Sequence, residues 1–592
     1  MARALRFDGR PAAEAYYRGQ WESARTTADT SSQWRSLDNL LTVLQALGRP
    51  GEVLALGNEC ERLAGGRAPP DAMARCLNHR AAARLATGAL TQAAADFEAA
   101  GQRLQALLTK ADDTFTALVR TNLAVAWRRL GRLDAALHWH ERSLPILRLT
   151  LRHGPDARLA DAVDAYGSAL REAGRFEDAG RELEAALAMR RQLHPDGLHP
   201  SIAASLGNLA ILRLATGQAD EALLLTERSL AIWQTAYPGH DDTDIATGLV
   251  RLGDIHERAA RLPEARQALR RALAMIGRLG DDAPATLRAA ALTGLARVAA
   301  AGGDTGEAQQ RAGQAVAALQ AQAGSDSPVS TELLLALDAR AAIAYRAGRF
   351  DAAATAYRDL GSALQRRGDA SPAGIARRAN ALNNLGLAER ARGRPARAVA
   401  AHEEALALRR SLRAGGAQWA VAQSEANLGR ALIDAGQLPR ARAHLSAALA
   451  LHQRAAAPGS VATGREAEQS AVLTALALLD ERAGRWDDAL RSSEQALALQ
   501  RRLRGPADHP AIADGLAIRG RLLAAAGQVP AAWAIQQQAL AMMARVHPQT
   551  GHPEWADALE EAARTLRVLG DLARAERLAG RAAAMRQRLA AR

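Results

Sequence analysis

A turn position returns fourteen times along this chain, and in thirteen of those places it is glycine: Gly19, Gly48, Gly88, Gly131, Gly174, Gly217, Gly303, Gly348, Gly393, Gly436, Gly484, Gly527 and Gly570, with Ala260 the exception. Five residues further on, alanine follows in thirteen of fourteen cases, from Ala24 and Ala93 to Ala532 and Ala575, with Val53 the exception. Eight of the thirteen intervals are 43 residues long. A unit that short cannot bury its own apolar face and has to stack on its neighbours, which makes a quasi-one-dimensional array instead of a set of globular domains. One continuous solenoid over 1–592 is therefore expected.

The unit around Gly131 shows how each repeat is built. Leu123, Val125, Trp127 and Leu130 form one apolar stripe before the glycine, and Leu137, Leu144 and Leu147 form another after it. Two helical stripes around one glycine predict an antiparallel helix pair, because glycine takes positive φ at a helix end without a Cβ clash. Leucine recurs eight before the turn (Leu209, Leu252, Leu385, Leu428) and thirteen after it (Leu187, Leu230, Leu406, Leu449). A small residue follows the first of these leucines, at Ala124, Gly167, Ala210, Gly253, Gly386, Gly429 and Gly520.

With these residues the chain resembles the tetratricopeptide repeat family. The resemblance implies an all-α, right-handed superhelical solenoid of about 13 to 14 antiparallel hairpins, the ordinary unit being 34 residues. The extra length falls in connections such as HPDGLHPSIAAS (194–205), YPGHDDTDIAT (237–247), RGPADHPAIAD (504–514) and HPQTGHPEWAD (547–557). These are similar to the longer repeats of kinesin light chain and its bacterial relatives. Irregular spacing predicts a bend around 278–331 and longer loops at 324–331 (GSDSPVST), 368–374 (GDASPAG) and 457–464 (APGSVATG).

In that family the first helices line the concave surface, so polar residues recurring on them are the candidates for partner contact. Nine residues before the turn stand Asn39, His79, Asn122, Ala165, Asn208, Arg251, Gly294, Ala339, Asn384, Asn427, Ala475, Ile518 and Glu561, of which the five asparagines and His79 are the candidates. Asparagine is a mediocre helix former, and its amide offers both donor and acceptor to an extended peptide. On the same face lie Arg297, Arg430, Arg521 and Arg564, and, four residues before the asparagine slot, Arg35, Arg75, Asn380 and Gln423. Two clusters result: Arg35, Asn39, Arg75 and His79, and Asn380, Asn384, Gln423, Asn427 and Arg430. Guanidinium forks suit carboxylates, so an acidic peptide or protein segment is the expected partner. The other reading is that these asparagines bond between neighbouring first helices and hold the superhelix pitch.

Chemistry is not indicated. No HExxH, GxSxG, GxGxxG or GxxxxGK[ST] pattern occurs, and neither a metal nor a cofactor is expected. In the segment His240, Asp241, Asp242, Asp244 a helix cap is the expectation over a cation site. Tryptophans occupy different slots in different units (Trp127, Trp139, Trp233, Trp419, Trp486, Trp533, Trp555) and read as irregular core filling. Cys60 and Cys76 are too few for a disulfide framework and read as small core residues. The charge of +13 comes from 75 arginines and one lysine, Lys110, without a basic run, which disfavours nucleic acid. The opening residues carry no secretory pattern, and no apolar stretch approaches a membrane span. The expected protein is a cytoplasmic, non-enzymatic interaction scaffold, with the terminal repeats as candidate oligomer contacts. The family resemblance implies one alternative, the sensor or regulatory arm of a signalling system whose effector, a kinase or transcription regulator, is a separate polypeptide.

Overall fold

Twelve equivalent alanines decide how this chain packs. Ala93, Ala136, Ala179, Ala222, Ala265, Ala308, Ala353, Ala398, Ala441, Ala489, Ala532 and Ala575 are all 0% exposed. Each stands on the second helix where it crosses the first, and any larger side chain there would hold the helices apart.

The computed structural model describes residues 10–26, 29–47, 49–64, 70–107, 114–280, 283–322, 329–412, 417–454, 462–505, 507–547 and 552–590. Twenty-eight helices and no strand occur among them. From Ala72 onward they alternate as first and second helices of hairpins, for example Thr114–Arg129 with Leu133–Thr150, Ala157–Glu172 with Phe176–Leu193, and Pro200–Ala215 with Ala219–Ala236. Along Ala72–Arg367 and along Pro395–Ala590 successive helices pack on one another, and several first helices also touch the first helix one unit along, as Ala285–Ala301 does with Thr331–Arg346. The fold is an all-α repeat solenoid. It divides into two compact units, Met1–Arg377 and Arg378–Arg592.

The turns are made as the glycines demand. Gly131 has φ +80°, and the Arg132 amide donates to the Trp127 carbonyl at 2.9 Å, which closes the helix end with a six-to-one bond. Ala260 keeps the same geometry without glycine. It has φ 57°, the one positive φ at a non-glycine among the described residues, and Arg261 donates back to His256 at 2.8 Å.

The small residues seven before the turn have a partner of their own, nine after it. A Cβ at Gly167 would stand 2.8 Å from Leu183 Cγ, one at Gly253 2.5 Å from Leu269 Cγ, and one at Gly429 2.6 Å from Leu445 Cγ. The bare glycine is the hole into which that knob fits. Gly386 holds His402 in the same way, 2.6 Å from Cε1 and Nε2, and Gly520 holds Gln536.

Three expectations need correction. Gly19 is no turn; it lies inside the helix Arg10–Ala24, which runs on so that Trp21 can join Trp34, Leu37 and Leu41 in a local core. Cys60 and Cys76 are buried as expected but are disulfide-bonded, because the helices Gly57–Ala64 and Ala72–Ala86 bring their Cα atoms to 5.7 Å. Two cysteines suffice when packing aligns them. Trp419 and Trp486 are not core residues, being 45% and 36% exposed, whereas Trp233 and Trp555 are buried.

Gly48 lies outside the described residues, as does most of 324–331 and the first part of 457–464. In the 368–374 stretch, Gly368 ends a helix at φ +66° and Ser371 Oγ accepts from the Gly374 amide at 3.1 Å.

Candidate functional site

The first helices carry a ladder of side-chain bonds from unit to unit. Asn122 Nδ2 donates to Asn78 Oδ1 at 3.3 Å, Asn208 Nδ2 to Asp164 Oδ2 at 2.6 Å, and Asn427 Nδ2 to Asn383 Oδ1 at 2.9 Å. Each pair is separated by 44 residues. His79 makes the same rung with Asp38 Oδ1 at 3.0 Å, while its other ring nitrogen meets Gln45 Oε1 at 3.0 Å. In these four rungs the residue nine before one turn reaches an acceptor ten before the previous turn, whereas Asn384, in the same slot, accepts from its neighbour Asn383.

Sequence reasoning missed those acceptors, Asp38, Asn78, Asp164 and Asn383. The signal was present one residue ahead of the asparagine slot, one unit earlier. A second constellation was also missed. Arg190 is buried and donates to Ser205 Oγ at 2.5 Å, the Ser201 carbonyl at 3.2 Å and Asp161 Oδ1 at 2.7 Å. Arg409 repeats it, donating to Ser424 Oγ at 2.8 Å, the Ala420 carbonyl at 2.7 Å and Asn380 Oδ1 at 2.8 Å. Each of these arginines leaves a second helix and pins two consecutive first helices. Charge-assisted donors in a buried setting make strong pins.

The expected site residues therefore divide. Asn122, Asn208, Asn427 and His79 contribute to the ladder. Arg75 is held by Asp71 at 2.7 Å and lies over the Phe115 ring at 4.6 Å. Arg35 is exposed and Asn39 half-buried. In the second cluster Asn380 and Gln423 both accept from Arg409, Gln423 at 3.3 Å. Asn384 accepts from Asn383 Nδ2 at 3.4 Å, and Arg430 Nη1 donates to Asn427 Oδ1 at 3.0 Å. These residues fall into two bonded groups on the first helices Pro372–Ala391 and Ala417–Asp434: Asn380 and Gln423 joined through Arg409, and Asn384, Asn427 and Arg430 joined through Asn383.

The four arginines six before the turn are not equivalent. Arg297 is neutralised by Asp254 and Glu257 at 2.5 and 2.8 Å, Arg521 by Glu481 at 3.0 Å, and Arg564 by Glu561 at 2.9 Å. Arg430 alone of the four has no ion pair among the described residues. Burial holds its pKa below the ordinary arginine value, Glu468 pulling it upward and Arg390 pushing it further down. In the first unit, burial raises the Asp164 carboxyl, against the opposing pull of Arg190 and Asn208.

No group of three His, Cys, Asp or Glu side chains among the described residues is placed to hold a metal ion. Asp242 caps its helix, accepting from the Asp244 amide at 2.7 Å, and Asp241 pairs with Arg278 at 2.7 Å. His199 and His509 likewise accept from backbone amides at helix starts. No described helix is long and apolar enough to cross a membrane.

Family models described as tetratricopeptide repeat match residues 159–235, 201–277 and 377–454, and also 116–154 and 470–511. No curated protein matches the sequence. Among solved structures, the chain is similar to BtubC (BKLC) from P. vanneervenii at 23% identity, covering 40% of this chain and 92% of that one, with a TM-score of 0.32. A Rap protein complexed with Competence and Sporulation Factor matches at 14% identity over 61% of this chain and 94% of its own, TM-score 0.46. A kinesin light chain repeat protein of Podosopora anserina matches at 22% over 35% and 94%, TM-score 0.29.

Proposed function

The chain is built of tetratricopeptide repeats, and from that premise we propose that it is a protein-interaction scaffold holding an acidic partner segment on the first-helix face around Arg430. One observation carries this reading: Arg430 is the arginine of its slot with no carboxylate at ion-pair distance among the described residues, and it donates to Asn427, whose ladder partner Asn383 also bonds Asn384. A crowded guanidinium left unneutralised is costly. A partner carboxylate would remove that cost and take the remaining N–H donors in a forked pair. The flanking amides offer an extended backbone both a donor and an acceptor, and a rigid first-helix face limits the entropy lost on docking.

The test is site-specific photocrosslinking in the native cell. A benzophenone amino acid replaces Gln423 on the first-helix face or Glu403 on a second helix, each in the parent and in Arg430→Glu. Crosslinks to one protein from position 423, lost on Arg430→Glu and absent from position 403, are the expected result. Equal crosslinking from both positions, or from 423 regardless of Arg430, would refute the assignment. Asn427→Ala is unsuitable as a binding test, because Asn427 also holds the ladder.

A further inference from the structure

One turn glycine is covered. Among the described turn residues, from Gly88 to Gly570 and with Ala260 included, all are exposed except Gly131. What covers it is Arg367, the last residue of Phe350–Arg367, five hairpins further along the chain. A Cβ at Gly131 would stand 2.5 Å from Arg367 Nε and 2.7 Å from its Nη2. Substantial helix packing, by contrast, joins only helices no more than three places apart in sequence. The contact therefore joins the two ends of a curl, in which the chain from Thr114 to Arg367 returns on itself within the compact unit Met1–Arg377.

Charges act across this seam, Glu332 on Arg129 and Glu172 on Arg367. The first helices inside the curl behave as the wall of a hollow. Asp244 and Asp338 are exposed to solvent, yet surrounding protein raises both carboxyls, at Asp244 with a further push from Asp242 and against the pull of Arg251. A side chain that is both wetted and crowded faces a concavity. The closure itself is lightly held. Arg367 Nη1 donates to Thr331 Oγ1 at 3.0 Å within its own hairpin, its Nε has no partner, and it makes no ion pair among the described residues. Glu172 and Glu332 attract it from beyond ion-pair distance, where Coulomb energy in a wet setting is small. We propose that Arg367 is a clasp: laid on the Gly131 turn it closes the first compact unit over its first-helix hollow, and its release opens that hollow to a macromolecular partner. This rests on the scaffold reading for what is admitted, but not on Arg430, which lies in the other compact unit.

Spin labels on the full chain at Asp134→Cys and Ser362→Cys, both exposed positions, read the closure by double electron resonance; Cys60 and Cys76 are disulfide-bonded and take no label. The otherwise native chain gives one short, narrow distance. Arg367→Ala and Gly131→Asn each lose it for longer, broader distances, since asparagine tolerates the positive φ of the turn but puts a side chain where the guanidinium lies. Gly174→Asn, at a turn with nothing near its Cβ position, keeps the short distance. Access is read separately at Asp338→Cys, where labelling by a polymer-linked maleimide, relative to a small one, speeds up when Arg367 is replaced by alanine. The proposal is overturned if the native chain lacks the single short distance, if either Arg367→Ala or Gly131→Asn retains it, if Gly174→Asn loses it as well, or if the relative labelling rate at position 338 is unchanged. Neither readout involves a partner, so failed crosslinking around Arg430 leaves the clasp standing, and a failed clasp leaves that crosslinking untouched.

Discussion

His402→Leu should stabilise the protein, and by more as the pH falls. His402 is 0% exposed, and neither ring nitrogen has a hydrogen-bond partner among the described residues. Its ring lies on Gly386, where the equivalent hairpins place Leu183 on Gly167, Leu269 on Gly253 and Leu445 on Gly429. Leucine therefore fits the hole, and it removes a buried polar ring whose unmet hydrogen bonds cost about 1 to 3 kcal/mol. Burial first, then Arg390, Arg409 and Arg430, push the His402 pKa from 6.5 to about 4. With the folded value below the unfolded one, the unfolded chain binds the extra proton between those limits. Stability attached to this residue is then full above pH 6.5 and drains away as the pH falls towards 4. Each unit of pH in that window costs about 1.4 kcal/mol, which comes to roughly 2 kcal/mol between pH 7 and pH 5. Opposite shifts at raised carboxyls such as Asp164 and Asp254 cancel when variant is compared with parent. Native-state hydrogen exchange over Pro395–Ser411, at both pH values, measures the local opening free energy. The expected gain is about 1 to 3 kcal/mol at pH 7, increased by roughly 2 kcal/mol at pH 5. A gain independent of pH would mean that His402 is not held neutral, and a loss at pH 7 would mean that the ring has a partner.

Ala260→Gly should raise stability by about 1 kcal/mol, since a left-handed alanine costs about 1 to 2 kcal/mol and glycine returns part of that as chain entropy; slower exchange across Thr243–Leu279 is the check. In a double-mutant cycle, Asn427→Ala should cost about 1 to 3 kcal/mol because Asn383 and Arg430 each lose a bond. Adding Asn383→Ala should cost less than the sum of the single changes, and strict additivity would count against the ladder. Cys60→Ser should loosen 57–86 by about 3 kcal/mol, the loop-closure value for a separation of this length, seen as faster exchange confined to the first unit; unchanged exchange there would refute it.

Fold and site differed in how legible they were because different kinds of signal carry them. The turn glycines and the alanines five residues on are each set by one local requirement, positive φ or close helix approach, and each requirement excludes most residue types. Period and identity together make them readable without any partner. The break at Gly19 was not readable in this way, since what keeps the Arg10–Ala24 helix running is Trp21 packing on Trp34 and Leu37, a tertiary term. The disulfide was hidden for the same reason, as the cysteine count carries no distance. Trp419 and Trp486 show the limit of arguing from irregular placement, because scattered slots are equally compatible with exposure.

The asparagine slot sits between these cases. Its recurrence was visible, but a recurring amide on a first helix has two explanations, an outside ligand and the next helix, and residue type alone does not separate them. Covariation within the chain does. Asp38, Asn78, Asp164 and Asn383 each precede, by one unit and one residue, a side chain able to donate to them, and the structure bonds these four pairs. Once the ladder accounts for the amides that have acceptors, the informative position is the one that lacks the neutralising carboxylate of its slot. Arg430 lacks the acid that Arg297, Arg521 and Arg564 possess. A repeat array is an internal control: the twelve described hairpins are copies of one packing problem and define what structure requires, and a charged side chain that departs from that requirement without an internal partner is where binding energy for a partner remains available.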